Sequence, residues 1–414
     1  MKINIFNLHK ILLNIIFGII VLFQLTTLKI SLELNFLSRV VNSLFIIFLF
    51  LFLFYAIYQT KLNKYLLYFY IFPGVLILIG FLINIVKSSL VSLDSLGYLS
   101  QTIPWIVFLI IPYFYQKNVF KVIDYWEIFS KFIFYTTIFS LIEYLLALNS
   151  YISLKAVETA NGDFLTGKIA IFHKLSDGTP HFRFYSCFME PGTFAMFLLP
   201  VICHAFYKKK YLRLFIFLTA FYFTFSLGGI FSLIIMAILI LFKLKGVKKY
   251  LIVVALLFGA IFYLSFINES IKGAYDDKGN SAVEREESYS KTADNITKLF
   301  FNYPFGIPLN IDTSANQKNE FYLGTNFIPG IYLQFGGYIA FIGYIFVLMF
   351  STILSLFLYL FKKHIYNEDF IVIISLLTLF PFIFQRLTIM ESSIFAFLFS
   401  PYIIKYLIYS IDKK

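Results

Sequence analysis

The chain has 414 residues, 60% of them apolar and only 14% charged, with a formal net charge of +12. Apolar runs long enough to span a bilayer recur throughout, which places the chain among polytopic membrane proteins and excludes an ordinary soluble domain. The positive charge is accounted for by basic links on the cytoplasmic side of a membrane, so it gives no reason to expect a nucleic-acid partner.

The first apolar run, 11–28, follows Lys2 and Lys10 and shows no small-residue cleavage site, so it reads as a retained span. Runs at 40–58, 66–86, 103–115 and 128–148 come next, and their links are alternately rich and poor in lysine. Lys61, Lys64, Lys117 and Lys121 fall on the side of the N-terminus, which the positive-inside bias makes cytoplasmic. A polar loop, 149–187, precedes a sixth span at 188–207, which returns to the basic cluster KKKYLR at 208–213.

The run 214–242 is too long for one crossing, being about 44 Å as a helix against roughly 30 Å of hydrocarbon. Both of its flanks are basic, so it has to go out and come back. The reversal is expected at Ser226, Leu227, Gly228 and Gly229, where glycine permits a sharp turn. A ninth span at 250–267 leads to the longest polar segment, 268–325, with 9 acidic and 6 basic residues. The run 327–361 is again too long, and Pro329, Gly330, Gly336 and Gly337 interrupt its first third. A partly re-entrant entry followed by the tenth span is expected there. Lys362 and Lys363 mark the inside, and spans at 370–384 and 394–411 enclose a short outer turn with Arg386 and Glu391.

The expectation is therefore an all-α, polytopic membrane helical bundle of about twelve spans, forming one integral domain over 1–414. Both termini are cytoplasmic in the bacterial inner membrane, and the long outer loops are 149–187 and 268–325. The 55 Phe and 30 Tyr match the bias of an AT-rich coding sequence and need no recognition surface to explain them.

The stretch 181–192, HFRFYSCFMEPG, is where chemistry is expected. It places Glu190 at the mouth of an apolar span, and such a costly carboxylate persists mainly where it faces a water-filled cavity or a partner. The outer face also carries separated arginines, Arg183, Arg285 and Arg386, near Glu143, Glu190 and Glu391. Arginine's rigid fork binds phosphate oxygens in pairs, a set suited to a pyrophosphate leaving group. The alternative is that these charges pair with one another to hold spans together, and for Arg386 and Glu391 that reading is preferred. No metal site is expected: there is no Asp-x-Asp, and His173 and His181 fit no zinc spacing. Cys187 and Cys203, 16 residues apart on one expected helix, lie too far apart to pair.

The Arg183 to Glu190-Pro191-Gly192 spacing resembles the Arg…Glu-Pro element of bacterial O-antigen polymerases, and FSLGG at 225–229 resembles a small-residue turn shared with O-antigen ligases. In the second long loop, Arg285 followed by Ile296, Phe301, Pro304 and Gly306 resembles that family's loop arginine, short helix and Pro-x-Gly turn. The resemblance covers roughly 180–345. Ligases usually end this loop on a His-Asn pair, whereas this chain reads Thr325-Asn326, a departure that favours polymerase over ligase.

The resemblance implies a multi-spanning lipid-donor glycosyltransferase without cofactor. Its substrates would be undecaprenyl pyrophosphate-linked oligosaccharides within membrane lipid, and a chain-length regulator protein would be an accessory partner. Arg183 and Arg285 would bind the pyrophosphate, with Glu190 as first choice and His181 as second for orienting or deprotonating the acceptor. Glu190 could equally serve only to hold Arg183. Arg386, Glu391, Glu143 and Asn326 are secondary candidates. A flippase for the same lipid-linked unit is the rival from another class, disfavoured because transporters place charges within their spans near the midplane.

Overall fold

The computed structural model describes residues 5–21, 35–87, 99–119, 125–159, 162–173, 183–188, 190–243, 296–307, 328–361, 372–378 and 389–409. Most of these residues are helical. In chain order the helices are α1 (Ile5–Ile19), α2 (Asn35–Gln59), α3 (Lys64–Lys87, with a π-helical turn at Leu67–Ile71), α4 (Ile103–Gln116) and α5 (Tyr125–Leu148). After a small sheet come α6 (Pro191–Tyr207), α7 (Tyr211–Phe223), α8 (Leu227–Lys243), α9 (Ile328–Phe361) and α10 (Ile389–Tyr409).

Four stretches, Val40–Gln59, Lys64–Lys87, Trp126–Leu148 and Tyr332–Phe357, are long and apolar enough to cross a membrane, and α1, α4, α6, α7, α8 and α10 contain shorter apolar helices. The outward faces are apolar as well: Leu51, Phe54 and Tyr58 on α2 are 67%, 69% and 85% exposed. Water would not tolerate such a contiguous surface, whereas lipid does. This is a helical membrane protein. Of the expected spans, the ninth (250–267) lies outside the described residues, and the eleventh is described, as helix, only over 372–378.

Several sequence expectations change in detail. The first helix begins at Ile5, before Lys10, so His9 lies inside it and meets the Tyr113 hydroxyl of α4 at 3.0 Å. The first long loop is not without strands. It carries an antiparallel three-stranded sheet, β1 (Lys155–Thr159), β2 (Gly162–Thr166) and β3 (Ile171–His173), paired in that order. Val157, Thr159, Phe164 and Thr166 are β-branched or aromatic residues, which favour strand over helix. Glu391 lies in the first turn of α10, not in a connection between helices.

The long apolar run at 214–242 does reverse. Helix α7 ends at Phe223, residues 224–226 form a turn, and α8 starts at Leu227. At 13 residues α7 is about 20 Å long. The other long run breaks at Gly337, whose φ of 63° and ψ of −163° interrupt α9.

Membrane helices must satisfy every backbone polar group internally, so each break needs a substitute partner. Pro112 inside α4 removes the donor that would have reached the Phe108 carbonyl, and the Tyr70 hydroxyl donates to it at 2.5 Å. Pro401 inside α10 does the same to the Phe397 carbonyl, and the Ser400 hydroxyl donates to it at 2.6 Å. At the Gly337 break, Tyr338 N–H donates to the Pro304 carbonyl at 2.9 Å and Ile307 N–H to the Gln334 carbonyl at 2.8 Å. The Asn84 amide of α3 donates to the Ile307 carbonyl at 3.1 Å and the Phe335 carbonyl at 2.6 Å. Helices α3 and α9 can approach this closely because small residues line the seam. A Cβ on Gly80 would sit 2.5 Å from the Gly336 carbonyl oxygen, and one on Gly343 would sit 2.6 Å from that of Pro73.

Candidate functional site

One end of α5 gathers the polar residues of the first long loop. The Glu143 carboxylate accepts backbone N–H bonds from Lys168 (3.2 Å), Ile169 (2.9 Å) and Ala170 (2.8 Å), which fixes the β2–β3 connection against the helix. Gly167 leaves room for this contact, since a Cβ on it would come within 2.5 Å of the carboxylate and push the side chain aside. Strand β3 continues the tie, with Ile171 N–H donating to the Ser186 carbonyl at 3.0 Å. The Ser186 and Ser140 hydroxyls lie 2.7 Å apart in the buried space between loop and helix. Tyr144 anchors the same region, its ring packing on Phe172, Phe184 and Phe223.

The segment 183–190 then runs beside the α7–α8 reversal. Phe184 N–H donates to the Phe223 carbonyl at 2.9 Å. Arg183 is half-buried; its Nε donates to the Thr224 carbonyl at 3.1 Å and its Nη2 to the Phe225 carbonyl at 3.3 Å. These carbonyls end α7, where a cation is favoured by the helix dipole and by the shortage of intrahelical donors. The turn itself is held by Thr224, whose hydroxyl donates to the Phe221 carbonyl at 2.7 Å, and by Ser226, whose hydroxyl accepts the Gly229 N–H at 3.2 Å. Phe225 is held at a φ of 47°, an uncommon conformation for a bulky residue.

Glu190 caps the backbone of α6 in extended geometry and its carbonyl accepts the Phe194 N–H at 3.1 Å, but its carboxylate makes no capping bond. The side chain is half-buried and its Oε2 is shielded from solvent. A carboxylate at a helix N-terminus is favoured by the dipole. Gly192, two residues on, lies within 3.9 Å of the Ser226 hydroxyl as measured from an added Cβ. Arg183 is therefore bonded to the 224–226 turn, and the backbone start of α6, which carries Glu190, lies beside the same turn at Gly192. Pro191 at the helix start forces the preceding Glu190 into extended backbone, which is why a Glu-Pro pair places its carboxylate here.

The structure brings together Glu143, Arg183 and Glu190 at this end of the bundle. His181, Arg285, Arg386 and Asn326 lie outside the described residues, and of Glu391 only the helical backbone is described. The short helix and Pro-x-Gly turn expected after Arg285 are present as a helix at 296–302 and the turn through Gly306, whose φ is 83°. Among the described residues no three His, Cys, Asp or Glu side chains gather as a metal site would require. Cys187 precedes α6 rather than lying on it, and it and Cys203 are buried free thiols.

Two polar centres escaped the sequence reading. Asn84, within the apolar run of α3, carries the signal of any polar side chain inside a span. Glu127, at the start of α5, accepts from Lys210 at 2.6 Å and Arg213 at 3.0 Å, with Lys131 at 3.8 Å. It is an acid at the mouth of a span close to the basic link KKKYLR, and that opposition of charge was the available clue. Glu127 and Glu143 stand 16 residues apart on α5, about 24 Å along the axis. The bundle thus has a basic end and an Arg183–Glu190 end. No family model, no curated protein and no solved structure matches this chain.

Proposed function

We propose that the chain is a metal-independent inverting glycosyltransferase that polymerises undecaprenyl pyrophosphate-linked oligosaccharide repeat units into O-antigen or capsular polysaccharide. It would act on the outer face of the cytoplasmic membrane, as a bundle of about twelve spans with both termini cytoplasmic. The observation that carries the reading is that Arg183 is fixed on the carbonyls of the 224–226 turn, beside which α6 begins with Glu190 at its mouth, at the end of α5 opposite its basic links.

In the reaction the acceptor sugar's hydroxyl attacks the anomeric carbon of the lipid-linked chain. The new C–O bond forms as the bond to pyrophosphate breaks, and the lipid pyrophosphate leaves with the electron pair. An arginine suits that leaving group when it is held before the charge develops. The two carbonyl bonds that fix the Arg183 guanidinium support this role, with Arg285 as its partner. Glu190, partly withdrawn from water, is assigned the acceptor proton, with His181 second. Glu143, bonded to three backbone amides, positions the sheet beside the site. The lipid-linked donor and acceptor would reach the site from membrane lipid, and a chain-length regulator protein would set the product length.

Deleting the gene tests the reading directly. The surface glycan should then be capped with a single repeat unit. Complete loss of attached repeats would make the chain a ligase, and internal build-up of unflipped lipid-linked units would make it the transporter.

A further inference from the structure

The basic end of the bundle holds an imbalance that the reaction at the other end does not use. Glu127, 17% exposed, shares its Oε1 among Lys210, Arg213 and Lys131, so one negative charge sits within 4 Å of three positive ones. The cations come from different elements: Lys131 from α5, Lys210 from the turn before α7, and Arg213 from the first turn of α7. Arg213 is fixed further by packing over the Phe134 ring, 5.4 Å from its centre, and the Phe134 ring in turn meets Phe217 of α7. The three cations are thus arranged by the fold, and among the described residues they outnumber the one carboxylate they contact by two charges.

What lies next to them is apolar and uncovered. From Lys131, which is 53% exposed, one face of α5 continues through Tyr135, Phe139 and Ile142, all about half exposed. On α7, Phe217 packs on Phe134 of α5, while Phe215, 68% exposed, lies about two residues round the helix on the side turned away from α5. A molecule fitting both features has an anionic head and long hydrocarbon tails. We propose that the α5 face beside the start of α7 binds an anionic glycerophospholipid, its phosphate on Lys131, Lys210 and Arg213 and its acyl chains along Tyr135, Phe139 and Ile142. Phosphate is the matching partner for a guanidinium and two ammonium groups that a single carboxylate leaves under-neutralised. The basic links mark this end as cytoplasmic, and the inner leaflet is the one that supplies anionic lipid. The site is independent of the reaction assigned to the Arg183–Glu190 end.

The test uses the full chain, purified in neutral detergent and offered phosphatidylglycerol, phosphatidylcholine or inorganic phosphate. Bound lipid is counted by native mass spectrometry and thermal stability is followed in parallel. The expected result is retention of phosphatidylglycerol in preference to phosphatidylcholine by at least about tenfold, with a matching rise in Tm. Lys131→Gln, which leaves the two shorter bonds of Glu127 intact, should weaken that preference by about fivefold, the share of one cation near an anionic surface. Lys64→Gln, at the start of α3, should leave it unchanged. Equal retention of the two lipids, stabilisation by inorganic phosphate as large as by the lipid, or the same loss in both variants would overturn the proposal. Because retention is counted directly, a variant that is merely less stable remains informative.

Discussion

Arg183 has two duties at the scale of a single side chain, and they can be separated. Its bonds to the Thr224 and Phe225 carbonyls hold the end of α7, which lysine, a point charge on a flexible stem, cannot reproduce with two directed donors. Its assigned role on the pyrophosphate depends on charge in the same place. Arg183→Ala should lower polymer synthesis by about 100- to 1000-fold, the loss of one preorganised donor, and Arg183→Lys should fall between it and the wild type. Rate and Tm measured on the same preparations decide between the roles. An Arg183→Ala enzyme with unchanged rate and lowered Tm would leave only the structural duty. Glu143 shows the opposite balance: a carboxylate that looked in sequence like a site residue is bonded to three successive amides of the β2–β3 connection. Such loop-to-helix bonds join residues about 25 apart and leave no local pattern.

Three interruptions of helices are matched by substitute donors. Tyr70 serves Pro112, Ser400 serves Pro401, and Asn84 with the 304–307 turn serves Gly337. Tyr70→Phe should therefore destabilise the protein by about 1 to 3 kcal/mol, because it leaves a buried carbonyl without its donor. Gly337→Val should cost more, since its φ of 63° disfavours a β-branched residue and its Cβ would meet the Pro304 carbonyl oxygen. Thermal unfolding in detergent checks both, and a Gly337→Val protein as stable as wild type would show that α9 is not held broken. The sequence made the breaks legible, because proline and glycine act on the backbone of their own neighbourhood. Both over-long runs were expected to break, and both do, at 224–226 and at Gly337. The partners were not legible. Nothing near Pro112 names Tyr70, and nothing near Gly337 names Asn84, since those pairings depend on which helices pack together. The sheet was missed for a different reason: strands of three to five residues carry a weak periodic signal, although Asn161-Gly162 is a hairpin dipeptide.

Across the whole molecule, the polar groups sort by end. Lys61 and Gln116 exchange two hydrogen bonds, at 3.1 Å and 2.8 Å, which puts the links expected to be cytoplasmic side by side. Glu127 joins the 208–213 cluster to the start of α5, while Arg183 is bonded to the 224–226 turn at the far end, where α6 begins at Glu190. In a cysteine-free background, Leu227→Cys should react with an impermeant probe added outside the cell, and Lys209→Cys only after the membrane is opened. The reverse pattern would invert the bundle and remove the site from the outer face. The amide of Asn84 also sets an order of events during synthesis. It binds a carbonyl 223 residues downstream, in a turn whose other partner is the broken helix at Gln334 and Pro304–Tyr338. At 5 to 20 residues per second, the 54 residues from Ile307 to Phe361 take the ribosome roughly 3 to 11 s. For that interval the turn has emerged and the helix that completes it has not, so the 303–307 turn settles only after a late span inserts and docks on α3.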